Sequence, residues 1–160
     1  CPSIISYGKW KGNVGKINNP ILTIKDFAPT FLELAKIKHP GTEYKGRKIF
    51  QLDGTSMIEW LENKEELVHD IKKAHCWELY GRRGVRKGNW KAEWQDRPYG
   101  EDKWELYDLS TDISEQINLS KKKPKKLEEL IKEWETYVLK YDVKLPSERV
   151  GYGPDEIYIK

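Results

Sequence analysis

The strongest pattern of apolar and polar positions in this chain is the sequence Trp-Glu-Leu-Tyr, which occurs at residues 77–80 and again at 104–107. Both copies alternate large side chains with charged or smaller ones, as short strands do. Glycines at 81, 84, 88 and 100 interrupt the flanks, which is typical of strands joined by tight turns. The pattern predicts strands at 75–80, 83–87, 90–94 and 104–108, and therefore a four-stranded antiparallel sheet.

A second pattern, with apolar residues three and four positions apart, begins after Pro124. Proline is tolerated in the first turn of a helix, so the spacing predicts one long helix from Pro124 to about Tyr141. Its apolar stripe is about as wide as a sheet face needs, and we expect the helix to lie across the sheet. The stripe consists of Leu127, Leu130, Ile131, Trp134, Val138 and Tyr141.

The first part of the chain gives weaker signals of regular structure. Residues 3–7 have the composition of a buried strand, and Asp26 is the expected cap of a short amphipathic helix. Residues 41–55 are predicted to form a loop, after which Ser56 is the expected cap of another short helix. The charged stretch 62–73 is interpreted as a surface connection.

The composition predicts a folded chain with a well-solvated surface. Of its 160 residues, 38% are hydrophobic and 34% are charged. The 29 basic and 26 acidic residues give a net charge of +3, which requires no polyanion-binding surface, so we expect no nucleic-acid partner. The densest basic run, residues 121–126, is interpreted as an exposed helix start. No apolar run approaches the length of a membrane span, so no membrane partner is expected.

The two cysteines, Cys1 and Cys76, lie far apart and lack the spacing of a metal or redox motif, so both are expected to be free thiols. Two thiols leave the cellular compartment open. The first residue is Cys and not Met, and a strand-like run follows at once. We therefore expect this chain to begin within a longer protein.

The polar residues show no pattern typical of a catalytic or metal centre. The three histidines, His39, His69 and His75, stand apart without metal-ligand spacing. We do not expect His69 and Asp70 to act as a dyad, because adjacent residues usually point in different directions. Residues 53–56 are expected to form a turn and a helix cap, since one carboxylate is too few for calcium. The residues alone thus assign no catalytic, cofactor-binding or metal-binding side chain.

The seven tryptophans raise an alternative function, a stand-alone module that binds glycans or nucleic acid through exposed Trp and Lys side chains. Trp10 and Trp94 are the freer candidates for such contacts. The remaining aromatic positions in the predicted elements fall in period with apolar neighbours and are expected in the core. They are Trp77, Trp90, Trp104 and Trp134.

Four segments, taken in this order, resemble the sulfatase family, and in particular the carboxyl-terminal part of bacterial arylsulfatases. They are CPSII at 1–5, DFAPTFLELA at 26–35, WELYG at 77–81 continuing to VRKGNWK at 85–91, and WELYDL at 104–109 followed by Asn118-Leu119. The resemblance covers the chain to about Val143.

The resemblance implies an alkaline-phosphatase-like α/β hydrolase that cleaves sulfate esters with a formylglycine, made from Cys or Ser, beside a calcium ion. The family's nucleophile signature has one residue between this Cys or Ser and Pro, and it ends in Arg. Here Pro2 follows Cys1 directly and Ile5 stands where Arg belongs, so Cys1 is not expected to be the nucleophile. The implied contribution of this chain is a rim of the substrate cleft, with His75 and Trp77 as candidate residues.

The prediction is therefore an α+β fold in two domains. Residues 1–50 are expected to be a remnant of the large α/β domain, with its last strand and helix. Residues 51–160 are expected to form a carboxyl-terminal subdomain of antiparallel sheet and long helix. The implied partners are the missing amino-terminal sulfatase region and a sulfate-ester substrate. The parent is expected to be bacterial, either periplasmic or secreted or cytoplasmic, and the isolated chain is predicted to be inactive.

Overall fold

A computed structural model describes residues 3–8 and 15–146 of the chain. The described residues form two compact units, one ending at Asp70 and the other beginning at Ile71. The boundary predicted near residue 50 separates two domains of the parent protein, and it stays a prediction. The expectations for Cys1 and Trp10 lie outside the described residues. In neither described range is there a helix with the length and apolar content needed to cross a bilayer.

Short elements and long connections make up the first unit. A single 3-10 turn at Ile24–Asp26 leads directly into α1, which spans Phe27–Leu34. The predicted loop over 41–55 contains a small hairpin of β1 (Glu43–Tyr44) and β2 (Arg47–Lys48). One helical turn, α2 (Ile58–Leu61), follows. Ile58 and Leu61 within it and Met57 just before it are buried.

Residues 3–7 do not form the predicted strand. The segment has no regular secondary structure, and Ile4 is 97% exposed. Among the described residues, the two sheets contain only later strands, and none of them pairs with this segment. The prediction was wrong because an apolar run becomes a buried strand only where a neighbouring strand supplies its hydrogen bonds.

A four-stranded antiparallel sheet with the order β3-β4-β5-β6 forms the base of the second unit. Its strands are β3 (Ala74–Leu79), β4 (Arg82–Lys87), β5 (Trp90–Gln95) and β6 (Lys103–Asp108). All four predicted strands are confirmed with shifts of about one residue at their ends. Tyr80 and Gly81 join β3 to β4 with φ angles of 53° and 87°, the left-handed geometry that fits a tight hairpin.

The long helix α3 spans Pro124–Tyr141, as predicted, and covers one face of this sheet. The rings of Trp104 and Trp134 meet edge to face with their centroids 5.6 Å apart. Asp142 caps the C-terminal end of the helix and adopts a left-handed φ of 50°. The core between sheet and helix consists of Val85, Ala92, Leu106, Leu130 and Trp134. The expected α+β class, a small sheet packed by a long helix, is confirmed.

Candidate functional site

The two predicted rim residues, His75 and Trp77, lie on the face of the sheet that α3 does not cover. Side chains alternate along a strand, and Cys76 between them packs against the core beneath the helix. His75 and Trp77 therefore project to the opposite side, here called the outer face. The outer face consists of His75, Trp77, Leu79 and their cross-strand neighbours Arg82, Gly84, Arg86, Lys91, Glu93, Glu105 and Tyr107.

The prediction that Trp77 lies in the apolar core was wrong, because its position in β3 directs it to the outer face, where it is 40% exposed. Gly84 lies directly opposite Trp77 on β4. A methyl group added at Gly84 would come within 2.1 Å of the indole ring. The ring therefore rests on the glycine backbone, and part of its surface faces solvent. Trp90, Trp104 and Trp134 pack in or against the core, as predicted.

A row of polar side chains crosses the outer face next to His75. The register sets His75, Arg86, Lys91 and Tyr107 side by side on successive strands. Lys91 Nζ lies 2.8 Å from a Glu93 oxygen and 2.5 Å from a Glu115 oxygen. Burial alone lowers the pKa of Lys91, but hydrogen bonds to Glu115 and Glu93 outweigh it and the net pKa is raised. Lys91 therefore stays charged and holds the sheet to the segment after β6.

Tyr107 and Glu105 form a second hydrogen-bonded group at the β6 edge. The buried Tyr107 phenol donates to a Glu105 oxygen over 3.1 Å, and the Asn118 amide donates to the other Glu105 oxygen over 3.1 Å. Burial, followed by the charge of Glu105, raises the pKa of Tyr107 far above its usual value. The phenol therefore remains a hydrogen-bond donor and does not act as a base.

In the first unit, a buried polar cluster joins residues that are far apart in sequence. His69 Nε2 lies 2.9 Å from Asp26 Oδ2, and these side chains are 3% and 0% exposed. His69 Nδ1 lies 3.3 Å from Thr55 Oγ1. The expectation that His69 stands apart in a surface connection was wrong. No local spacing signals this pair, because its members are separated by 43 positions.

Asp26 is the central acceptor of this group, which we call the Asp26 cluster (Thr23, Asp26, Thr55 and His69). Its carboxylate accepts the Thr55 amide at 2.9 Å and the Thr23 amide at 2.7 Å. Burial raises the pKa of Asp26, but hydrogen bonds from Thr55, His69 and Thr23 outweigh it and the net pKa is lowered. Asp26 thus reaches back to Thr23 instead of capping α1. An ionised carboxylate with these partners is suited to holding segments together.

The turn at residues 53–56 packs tightly against the start of α1. A Cβ atom at Gly54 would lie 1.9 Å from the Lys25 carbonyl oxygen, so the two backbones touch at this point. The Ser56 hydroxyl accepts the amide of Ile58, the first residue of α2, at 3.3 Å. The backbone bends at Gly54, as expected for a turn, but the N-cap residue of α2 is Met57, so Ser56 supports the helix start from one position before the predicted cap.

The described side chains do not fit the calcium ion that the resemblance implies. Over residues 3–8 and 15–146, no group of three or more His, Cys, Asp or Glu side chains is arranged to hold a metal ion. Calcium takes six to eight oxygen ligands, and the carboxylates of the two polar groups above are already occupied by protein donors. Cys76 is in no disulfide, and its thiol donates to the Glu133 carbonyl oxygen over 3.8 Å. The described side chains of this arrangement offer an aromatic surface and hydrogen-bonding groups.

Comparison with known protein sequences shows that the chain is similar to sulfatases. Residues 1–144 match the family model described as N-sulphoglucosamine sulphohydrolase, C-terminal. An uncharacterized sulfatase of Schizosaccharomyces pombe is 39% identical over 138 residues, which cover 86% of this chain and 24% of that protein. The N-acetylglucosamine-6-O-sulfatase of Bacteroides thetaiotaomicron is 30% identical over 145 residues, covering 82% of this chain and 24% of that protein.

Solved sulfatase structures share the fold. BT4656, in complex with its substrate D-glucosamine-2-N,6-O-disulfate, is 25% identical with a TM-score of 0.51, covering 73% of this chain and 24% of that one. Ps i-CgsB, in complex with a neocarrahexaose, is 28% identical with a TM-score of 0.53, covering 76% and 25%. The 2-O GAG sulfatase BT1596 is 23% identical with a TM-score of 0.54 over 77% and 27%, and supports the fold alone.

These matches confirm the resemblance to sulfatases and the expectation that the fold is shared with solved sulfatase structures. The chain spans 24% of the length of the two curated relatives, so the matching region belongs to a much larger protein in each of them. A stand-alone glycan- or nucleic-acid-binding module is therefore not favoured.

Proposed function

The chain belongs to the family of N-sulphoglucosamine sulphohydrolase C-terminal domains, and we propose from this premise that it forms the carboxyl-terminal part of a sulfuric ester hydrolase. The observation that carries the proposal is the family match over residues 1–144, which includes both compact units. Because the chain corresponds to only 24% of its curated relatives, the catalytic centre is assigned to the remaining part of the protein.

The substrate class we propose is a sulfated saccharide. An N-acetylglucosamine-6-O-sulfatase is 30% identical to the chain, and BT4656 binds a disulfated glucosamine. Both substrates carry sulfate on a sugar, which favours the same class here. The alternative substrate class is an aryl sulfate, because the resemblance implies arylsulfatase-type activity. An aryl sulfate tests this alternative in the same assay.

Calcium and formylglycine are assigned to the amino-terminal region of the parent protein. When bound there, the metal would stabilise negative charge on the sulfate oxygens, and the formylglycine would supply the nucleophile. No described group in this chain has the ligand set for that ion. The role of this chain is therefore to complete the fold and to contact the substrate beside the centre.

For the substrate contact, we propose the rim residues His75 and Trp77 on the outer face. The exposed indole of Trp77 offers a flat surface, and the negative face of an aromatic ring attracts the C–H groups of a sugar. Gly84 leaves the space that the ring occupies, because the Cβ atom of any other residue would collide with the ring. His75 and Arg86 lie opposite each other beside the ring, and the Arg86 guanidinium provides hydrogen-bond donors for hydroxyl or sulfate groups.

The activity test compares the full-length protein with the 160-residue chain, using glucosamine 6-sulfate and 4-nitrophenyl sulfate as probes. We expect the full-length protein to release sulfate from the sugar and the chain alone to release none above a blank. Turnover by the isolated chain would overturn the assignment of the centre to the rest of the protein. Faster turnover of the aryl sulfate than of the sugar would contradict the saccharide class.

The rim is tested with Trp77→Ala in the full-length protein. A group that binds substrate and transition state alike changes KM without changing kcat, so we expect KM for glucosamine 6-sulfate to rise by about tenfold at nearly constant kcat. Tyr44→Ala, which removes another exposed aromatic ring in the first unit, is the matched control and leaves KM unchanged. An unchanged KM in Trp77→Ala would remove Trp77 from the rim.

A further inference from the structure

We propose that the lysines of residues 121–126 form an exosite for a sulfated polysaccharide. This exosite is separate from the outer face and binds a second part of a polymeric substrate. The inference rests on the proposed function, because a saccharide sulfatase is the enzyme whose polymeric substrate carries repeated sulfate groups. We call the site the lysine patch; it consists of Lys121, Lys122, Lys123, Lys125 and Lys126.

The lysine patch is built on fixed backbone. The amides of Lys122 and Lys123 donate to the Leu119 carbonyl at 2.9 and 2.8 Å. The Leu119 amide in turn donates to the Leu106 carbonyl in β6 at 2.7 Å, and its side chain packs on the core. The five ammonium groups therefore start from one rigid turn and the first turn of α3. Such an array loses less conformational entropy on binding than a flexible basic tail does.

Most of the positive charge in the lysine patch is not neutralised by nearby acids. Lys126 Nζ pairs with Glu129 at 2.5 Å. Among the ion pairs of the described residues, none includes Lys121, Lys122 or Lys125. Two carboxylates feel the charge of the patch without forming ion pairs with it. Lys103 and, more weakly, Lys121 lower the pKa of Glu101, and Ser110 and, more weakly, Lys123 lower the pKa of Asp108.

The geometry of α3 adds to this positive potential. Its first turn contains no acidic residue and has no side-chain cap, so the positive end of the helix dipole adds to the charge of the lysines. Residues 122–126 and Glu129 line a surface depression at this end of the helix. Like charges at a positive helix end repel one another, and a polyanion bound there relieves that repulsion.

The surroundings of the lysine patch favour a sulfated glycan over nucleic acid or a membrane. Single-stranded nucleic acids need exposed aromatic rings for base stacking. The Trp90 ring beside the lysine patch packs on the core. The ammonium groups of Lys123 and Lys126 lie 5.9 and 5.8 Å from its centroid, where a base would have to stack. Stable attachment to a membrane needs a second signal besides a basic patch, such as apolar side chains that insert between lipids, whereas residues 120–126 hold Ser, Lys and Pro.

The test measures binding of heparin to the 160-residue chain and to the triple variant Lys121→Gln, Lys122→Gln, Lys125→Gln. We expect the variant to bind heparin about tenfold more weakly at low salt, with a reduced dependence of affinity on salt concentration. The matched control Lys16→Gln, Lys38→Gln, Lys48→Gln removes three exposed charges elsewhere and leaves affinity within about twofold. Equal loss in both triple variants would overturn the exosite, because it would report net charge alone.

Other probes distinguish binding of a sulfated glycan from binding of nucleic acid or membranes. They also test the exosite independently of the proposed function. Equal or tighter binding of single-stranded DNA or phosphatidylserine vesicles, or unchanged binding of desulfated heparin, would overturn the assignment to sulfated glycan. In the full-length protein, the triple variant should raise KM for heparin oligosaccharides and leave glucosamine 6-sulfate turnover unchanged. If the monosaccharide is hydrolysed but the triple variant binds heparin as tightly as the unmodified chain, the exosite proposal is wrong and the proposed function stands. If no sulfate ester is hydrolysed, the proposed function fails, and the exosite fails with it.

Discussion

Asp26 is the residue on which the hydrogen bonds of the first unit converge. Its side chain accepts from Thr23, Thr55 and His69, while its backbone carbonyl accepts the Thr30 hydroxyl at 2.6 Å. Thr30 Oγ1 in turn accepts the Met57 amide at 3.0 Å. One buried carboxylate thus connects the start of α1 to the turn before α2 and to the connection after it. Removing one member of such a buried group leaves the others without partners, which costs more than the pair itself contributes.

A pH-dependent stability follows from the lowered pKa of Asp26. Its folded-state pKa lies below the ordinary value of 3.8, so protons bind the unfolded chain more tightly. The contribution of Asp26 is therefore fully present above about pH 5 and is lost as pH falls through the folded-state pKa. We expect Asp26→Asn to destabilise the first unit by about 2–4 kcal/mol at neutral pH, and by less in acid.

Chemical unfolding followed by NMR signals of first-unit amides, at several pH values from neutral to acid, measures this difference. Glu33→Gln is the control, because Glu33 is an exposed carboxylate on α1 and its loss should change stability by less than about 0.5 kcal/mol at every pH. A destabilisation by Asp26→Asn that stays constant down to acid pH would show that the charge of Asp26 does not contribute.

At the scale of elements, the information that predicts β3 to β6 and α3 is local. Glycine-bounded alternation and the three-four spacing after Pro124 depend only on neighbouring residues, and both survive in the structure. The strand at residues 3–7 failed because a strand also needs a partner. Trp77 was misplaced because an alternating pattern does not say which face is covered. The Asp26–His69 pair could not be predicted, because it joins residues brought together only by the fold.

The packing of α3 on the sheet gives a prediction for a single element. Leu130 is 0% exposed at the centre of the core, whereas Leu139 on the same helix is 83% exposed. Truncating a buried leucine removes apolar contacts and leaves a cavity, so we expect Leu130→Ala to lower the free energy of unfolding by about 2–5 kcal/mol. Leu139→Ala makes the same chemical change without a cavity and should cost less than about 0.5 kcal/mol. Urea unfolding measures both variants, and equal costs would mean that α3 does not cover the sheet.

At the scale of the whole molecule, the two units are stabilised in different ways. The second unit has an apolar core enclosed by regular hydrogen-bonded strands and α3. In the first unit, the described fully buried residues include Asp26 and Thr30 beside Met57. The only sheet among its described residues is a hairpin of two-residue strands. A unit that depends on one buried charge and few backbone ladders opens more easily than one built on a packed sheet.

This contrast predicts an uneven pattern of amide hydrogen exchange along the chain. Amides of the central strands β4 and β5, which have a hydrogen-bonded neighbour on each side, should exchange slowest. Residues 15–50 have few backbone ladders and should exchange faster, by about a hundredfold or more. Exchange followed by mass spectrometry in a dilute monomer measures both regions. Repeating it at about tenfold higher concentration detects self-association, since unpaired apolar segments such as residues 3–7 invite pairing between copies. Protection as strong over residues 15–50 as in β4 and β5, at low concentration, would mean that the first unit is as stable as the second.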